Sequence, residues 1–115
     1  MNTAQYIDGD PIKRFVLLVL FQAQQDHATE MVVEPTISER SPIRYKVEGT
    51  WYDLAPPPPH ILAGVVAELE RLGQLGEGEF PREGIIDVRL GAGRLHWRIR
   101  MTTAEAGYIL VPIEG

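Results

Sequence analysis

The sequence has 115 residues, no cysteine and a formal net charge of -5, with a pI near 5.1. That length suits one domain able to bury roughly two thirds of its unfolded surface, and the missing cysteines exclude disulfides and thiolate metal sites. The acidic balance argues against nucleic-acid binding, which needs a basic surface to neutralise phosphates, while 44% hydrophobic and 23% charged residues set the chain apart from disordered sequences.

In chain order, residues 1–10 read as an N-terminal tail and residues 11–113 as one domain. Asp10 before Pro11 is a helix-start signature. The carboxylate accepts from free first-turn amides, and a proline at the first helical position has no N–H to leave unpaired. A helix is predicted from about Pro11 to Gln25. Ile12, Phe15, Val16, Val19, Leu20 and Ala23 share one stripe of it, whereas Leu17, Leu18 and Phe21 project to other sides. Such a helix is either sandwiched within its own domain or presents Leu17 and Phe21 to another domain or subunit. Its apolar run, Phe15 to Phe21, falls well short of the roughly 20 residues that cross a bilayer, so no direct membrane insertion is expected. Asp8 and Asp10 ahead of Lys13 and Arg14, with no small-residue cleavage site after the run, also disfavour a secretory signal. A cytoplasmic location is expected.

Met31, Val32 and Val33 form a brief strand within Glu30 to Glu34 that ends near Pro35. Pro42 to Leu54 is predicted as a hairpin turned at Glu48 and Gly49, the glycine supplying positive φ without steric cost. Val47 then pairs with Thr50, Lys46 with Trp51, Tyr45 with Tyr52 and Arg44 with Asp53. This register puts Ile43, Tyr45, Val47, Tyr52 and Leu54 on a core face and Arg44, Lys46, Trp51 and Asp53 on the other. Trp51, on the polar face, joins Leu17 and Phe21 as a candidate for a partner interface.

Pro56 to Pro59 forms a stiff connector, and a helix begins near His60 because a run of prolines is not helical. Ile61, Leu62, Val65, Val66, Leu69 and Leu72 give it one apolar stripe, and Gly73 is placed to end it. Past a glycine-rich loop from Gly76 to Glu79, Ile86, Val88 and Leu90 alternate into a strand that turns at Gly91-Ala92-Gly93. On the return strand Leu95, Trp97, Ile99 and Met101 face one way, and Arg94, His96, Arg98 and Arg100 the other. Tyr108 to Ile113 supplies a last strand, with Pro112 marking a sheet edge or a strand end. The predicted fold is α/β of the α+β kind, with two principal helices on a mainly antiparallel sheet in the order α-β-β-β-α-β-β-β.

The chemistry these residues offer is limited. The only lysines, Lys13 and Lys46, lack the glycine-rich turn and following hydroxyl of a phosphate loop, so an independent P-loop ATPase is excluded. His27, His60 and His96 occur singly without metal-ligand spacing, and Ser38 and Ser41 lack a glycine elbow. No enzyme activity, metal or cofactor is expected. Arg94, Arg98 and Arg100 are candidates for contacting a nucleotide or another anion, since guanidinium forks match phosphate and carboxylate. The alternative is a solvated strand face balanced by the excess of acids.

Read in order, Ala28-Thr29-Glu30-Met31-Val32-Val33-Glu34-Pro35, Arg44-Tyr45-Lys46-Val47-Glu48-Gly49, the proline-led segment Pro56 to Leu72, Pro81-Arg82-Glu83-Gly84 and Arg98-Ile99-Arg100-Met101 through Gly107 resemble a known family. It is the PAS-like N-terminal domain that precedes the motor in type II secretion and type IV pilus assembly ATPases. The resemblance spans about Pro11 to Ile113. It implies a PAS-like fold that packs on a motor within a hexameric ring, with arginines of its last strands reaching toward nucleotide. Arg98 matches the first of those arginines, whereas the second falls near Ile113 and the family's glutamate after the glycine is Tyr108. Glu30-Met31-Val32 replaces the family's Asp-Ile-His. The chain is expected to act without a motor domain, as a non-catalytic interaction or assembly module whose partner is a secretion or pilus motor protein, or a second copy of itself. The alternative is a PAS-like sensory module holding a small ligand.

Overall fold

The computed structural model describes residues 10–36, 39–91, 93–103 and 105–113. Helix α1 (Pro11–Gln25) begins as its sequence dictates: Asp10 Oδ1 accepts from the amides of Ile12 and Lys13 at 3.0 and 3.2 Å. It ends where His27 enters the left-handed region at φ 61°. There the Ala28 amide donates to the Ala23 carbonyl at 2.9 Å and the His27 amide to the Gln24 carbonyl at 3.1 Å, the paired bonds of a Schellman cap. The rest of the predicted tail, residues 1–9, and Ala92 of the predicted second turn lie outside the described residues.

Strands β1 (Glu30–Val33), β2 (Ile43–Val47) and β3 (Thr50–Asp53) follow, then helix α2 (Pro59–Gly73) and strands β4 (Arg82–Leu90), β5 (Gly93–Met101) and β6 (Tyr108–Pro112). The element order is the expected α-β-β-β-α-β-β-β. All six strands join one antiparallel sheet in the order β3-β2-β1-β6-β5-β4. The last strand is therefore central, between β1 and β5, and Pro112 marks its end rather than an edge.

The β2–β3 hairpin has the expected pairs, Val47 with Thr50 through Arg44 with Asp53. Both turn residues take positive φ, Glu48 at 50° and Gly49 at 82°, the type I′ geometry that matches strand twist. Its apolar face is only partly core: Ile43 is buried, but Tyr52 is 50% exposed, because β3 lies at the sheet edge. Helix α2 begins one residue earlier than expected, with Pro59 as its first residue, where the missing N–H costs nothing.

Gly73 is the last residue of α2, but it is Gln74 that turns left-handed, at φ 53°. Gly73 serves close packing instead. A Cβ there would fall 2.6 Å from Ile99 Cγ2, and one on Gly84 would fall 2.0 Å from the Gly73 carbonyl oxygen. Two facing glycines thus let the end of α2 sit directly on β4.

Both helices cover the same sheet face. Trp97, Tyr108, Met31, Ile43 and Ile99 reach up from the strands to meet Leu20 of α1 and Leu69 of α2, and all lie in the core. A tryptophan buried this fully is worth about 3–5 kcal/mol relative to alanine. Leu17 belongs to this core at 7% exposure, so it is not the surface residue its helical position suggested; Leu18, at 58%, takes that place. In a helix apolar nearly all round, the packing partner rather than the pattern selects the inner flank. The gap that remains between α1 and the sheet, lined by Phe15, Leu20, Met31, Val65 and Leu69, measures about 10 Å³. That is at most room for a single water.

Candidate functional site

Because Leu95, Trp97, Ile99 and Met101 point into the core, strand alternation sends Arg94, His96, Arg98 and Arg100 to the opposite face. Register then decides their neighbours. Arg98 lies between Ile85 of β4 and Val111 of β6, and Arg100 between Glu83 of β4 and Ile109 of β6. Val32 of β1 stands opposite Ile109, and Arg44 of β2 opposite Val32. No described element covers this face. Ile85, Ile109 and Val111 remain 45%, 39% and 42% exposed, so apolar side chains flank a row of guanidiniums in the middle of the sheet. Contiguous exposed apolar surface with a polar surround is the usual mark of a contact site.

The three candidate arginines differ in how they are held. Arg94 donates from Nε and Nη2 to the two carboxylate oxygens of Asp87 at 2.7 and 2.9 Å. That fork holds the Asp87 carboxyl below its usual range and raises the Arg94 guanidinium. Arg100 sits loosely, its Nε 3.9 Å from Glu83 Oε2. Arg98 has no carboxylate at ion-pair distance among the described residues. At the far side of the same face Arg44 is engaged with Glu34 at 2.8 Å, and Lys46 Nζ lies 5.5 Å from the Trp51 ring centroid. The structure therefore brings Arg94, Arg98, Arg100 and Trp51 onto one face. Phe21, 39% exposed, is on the helical layer, and Leu17 lies inside the core.

The apolar members of the face, Ile85, Ile109 and Val111, were not singled out from sequence. Their signal was present: Ile85-Ile86 and Tyr108 to Val111 are unbroken apolar runs, which in a strand mean that both faces are apolar.

The inner layer is tied down by two tyrosines. The Tyr45 hydroxyl donates to Asp26 Oδ2 at 2.5 Å, which pushes the phenol up to about 12 and lowers the Asp26 carboxyl. The Tyr108 hydroxyl donates to Glu70 of α2, and its ionisation is raised by burial first and by that bond second. These are links between helix and sheet, and Tyr108 is fully buried.

No protein-family model matches the chain. Among curated proteins it is 30% identical over 103 residues to the type II secretion system protein HxcR of Pseudomonas aeruginosa, covering 88% of this chain and 21% of that protein. It is 26% identical over 93 residues to the type IV pilus assembly ATPase PilB of Myxococcus xanthus, covering 79% of this chain and 16% of the relative. A type II secretion system protein E of Xanthomonas campestris pv. campestris is 27% identical over 103 residues, 88% of this chain and 18% of its own length. The sequence is thus related to type II secretion and type IV pilus assembly proteins over most of its length, and it spans about a fifth of the curated relatives it matches.

Proposed function

We propose that this relative of type II secretion and type IV pilus assembly proteins is a non-catalytic docking module, which binds a motor ATPase of such a system through the uncovered sheet face. The observation that carries the reading is the pattern of that face: Arg98, with no carboxylate at ion-pair distance among the described residues, set between the exposed Ile85 and Val111. A guanidinium flanked by aliphatic side chains favours a partner surface that offers a carboxylate beside apolar groups, because burial strengthens the ion pair and rewards the aliphatic contact together. A non-catalytic role is supported by the sequence, whose two lysines lie outside any phosphate loop. Absence of cysteine fits action in the reducing cytoplasm.

Binding of the purified chain to a type II secretion or type IV pilus motor ATPase, measured by sedimentation or biolayer interferometry, tests this reading. Val111→Glu with Arg98→Glu is expected to weaken the complex by at least about tenfold, or about 1.4 kcal/mol. Leu18→Glu, on the helical layer, is expected to leave it unchanged. A complex equally sensitive to both changes, or none with any motor assayed, would sink the proposal.

A further inference from the structure

Of the two strands that end the sheet, β3 has four residues and β4 has nine. A long edge is normally blunted, because its row of unpaired N–H and C=O groups is a template for another strand. β4 has little of that protection. It contains no proline, and its pairing with β5 runs from Arg82 and Met101 to Leu90 and Gly93 without a bulge. The two-residue turn between Leu90 and Gly93 makes these a hydrogen-bonded pair, so alternation gives Gly84, Ile86 and Val88 the bonds to β5. The N–H and C=O groups of Glu83, Ile85, Asp87 and Arg89 are thereby turned outward. None of these four residues makes a backbone hydrogen bond to a loop or turn among the described residues.

The side chains of the same four residues are exposed and share the uncovered face, since Ile86 between them is buried on the other. If a second β4 pairs antiparallel with this edge, outward-bonding residues must meet one another, which leaves only registers centred on a single residue. Centring on Ile85 sets Glu83 against Asp87, and centring on Asp87 sets two Asp87 carboxylates face to face. Like charges directly opposite are destabilising. Centring on Ile86 instead sets Glu83 of each copy against Arg89 of the other, twice by symmetry, and Asp87 against Ile85. The groups that would pair are available. Arg89 has no carboxylate at ion-pair distance among the described residues, and Glu83 has only its loose approach to Arg100 at 3.9 Å. Asp87 is already neutralised by Arg94 and needs no partner from the second copy.

We propose that the outer edge of β4 is an interface with a second copy of this chain, paired antiparallel about Ile86 so that two sheets run on as one. Main-chain bonds from Glu83, Ile85, Asp87 and Arg89 hold the two strands together, and the two Glu83–Arg89 pairs select the register. The two-fold axis of such a pair is perpendicular to the sheet, so the uncovered faces of both copies point to the same side. The inference rests on the sheet edge and is independent of docking through Arg98, so either can fail alone.

The test is sedimentation of the purified whole chain at concentrations up to about 1 mM, the weak end of measurable association. A monomer–dimer equilibrium is expected, and amide hydrogen exchange at Ile85 and Asp87 should slow as the dimer forms. Arg89→Glu sets acid against acid at two places and is expected to weaken the dimer by about tenfold or more. Glu83→Arg alone should weaken it in the same way, whereas the two changes together restore opposite charges and should recover the dimer. Both residues are exposed, so the folded chain should persist in each variant, as circular dichroism would show. A chain monomeric throughout, open assemblies larger than a dimer, or a dimer that ignores Arg89→Glu or is not recovered by the double exchange would overturn the proposal.

Discussion

Two glycines that face each other show how closely single atoms are constrained in this protein. At Gly84 a methyl group would overlap the Gly73 carbonyl, at 2.0 Å, and a backbone atom at the end of a helix has no rotamer by which to withdraw. Gly84→Ala is expected to destabilise the fold by about 3 kcal/mol, the upper end for overpacking. Gly93→Ala is the contrast: the nearest neighbour of its new methyl group would be the Leu90 oxygen at 3.5 Å, an ordinary contact, and its cost should stay within about 0.5 kcal/mol. Urea unfolding of the two variants measures the difference, and equal midpoints would refute it. From sequence, Gly73 had a plausible local role as a helix stop, and Gly84 none. Its packing role arises from a contact between segments far apart in the chain, which propensity does not reveal.

At the level of elements, sequence and structure agree where the signal is local. Asp10-Pro11, the Glu48-Gly49 turn and the alternation of β5 each place a boundary or a face through steric or hydrogen-bonding rules acting over a few residues. The clearest case is open to test: Asp10→Ala removes the acceptor of two first-turn amides and should cost about 1 kcal/mol, read as a lower thermal midpoint. Asp10→Ser, which can also cap, should recover most of that loss. Agreement ends where orientation depends on neighbours. Leu17 and Leu18 are adjacent in a helix apolar nearly all round, and only the position of the sheet makes the first core and the second surface. The open face was legible in part, because the arginine stripe followed from alternation, whereas the pairing of Arg94 with Asp87 depended on strand register. The bond from Gln24 to the Arg94 carbonyl, which ties α1 to β5, was not legible, since the two residues meet only through tertiary packing.

For the molecule as a whole, stability should depend on pH at the alkaline end. Tyr45 ionises at about 12 when folded against an ordinary value of 10.0, chiefly because its neutral hydroxyl is needed by Asp26. A raised folded value means that this contribution is fully present below about pH 10 and is lost as pH rises through about 12. Tyr108 is raised by burial and by Glu70, and adds in the same direction. Denaturation midpoints should fall across that window, with a shallower fall in Tyr45→Phe; parallel curves would show that the phenol is not responsible. The position of β6 has a different kind of consequence. It joins the β1–β3 half of the sheet to the β4–β5 half, yet it is the last strand of the chain order. Without Tyr108–Pro112 each half presents an open inner edge, β1 on one and β5 on the other, which in the fold that strand closes. A chain cut short before Tyr108 would therefore hold two half-sheets and no strand to join them, so five residues made last decide whether the two inner edges are protected from mispairing.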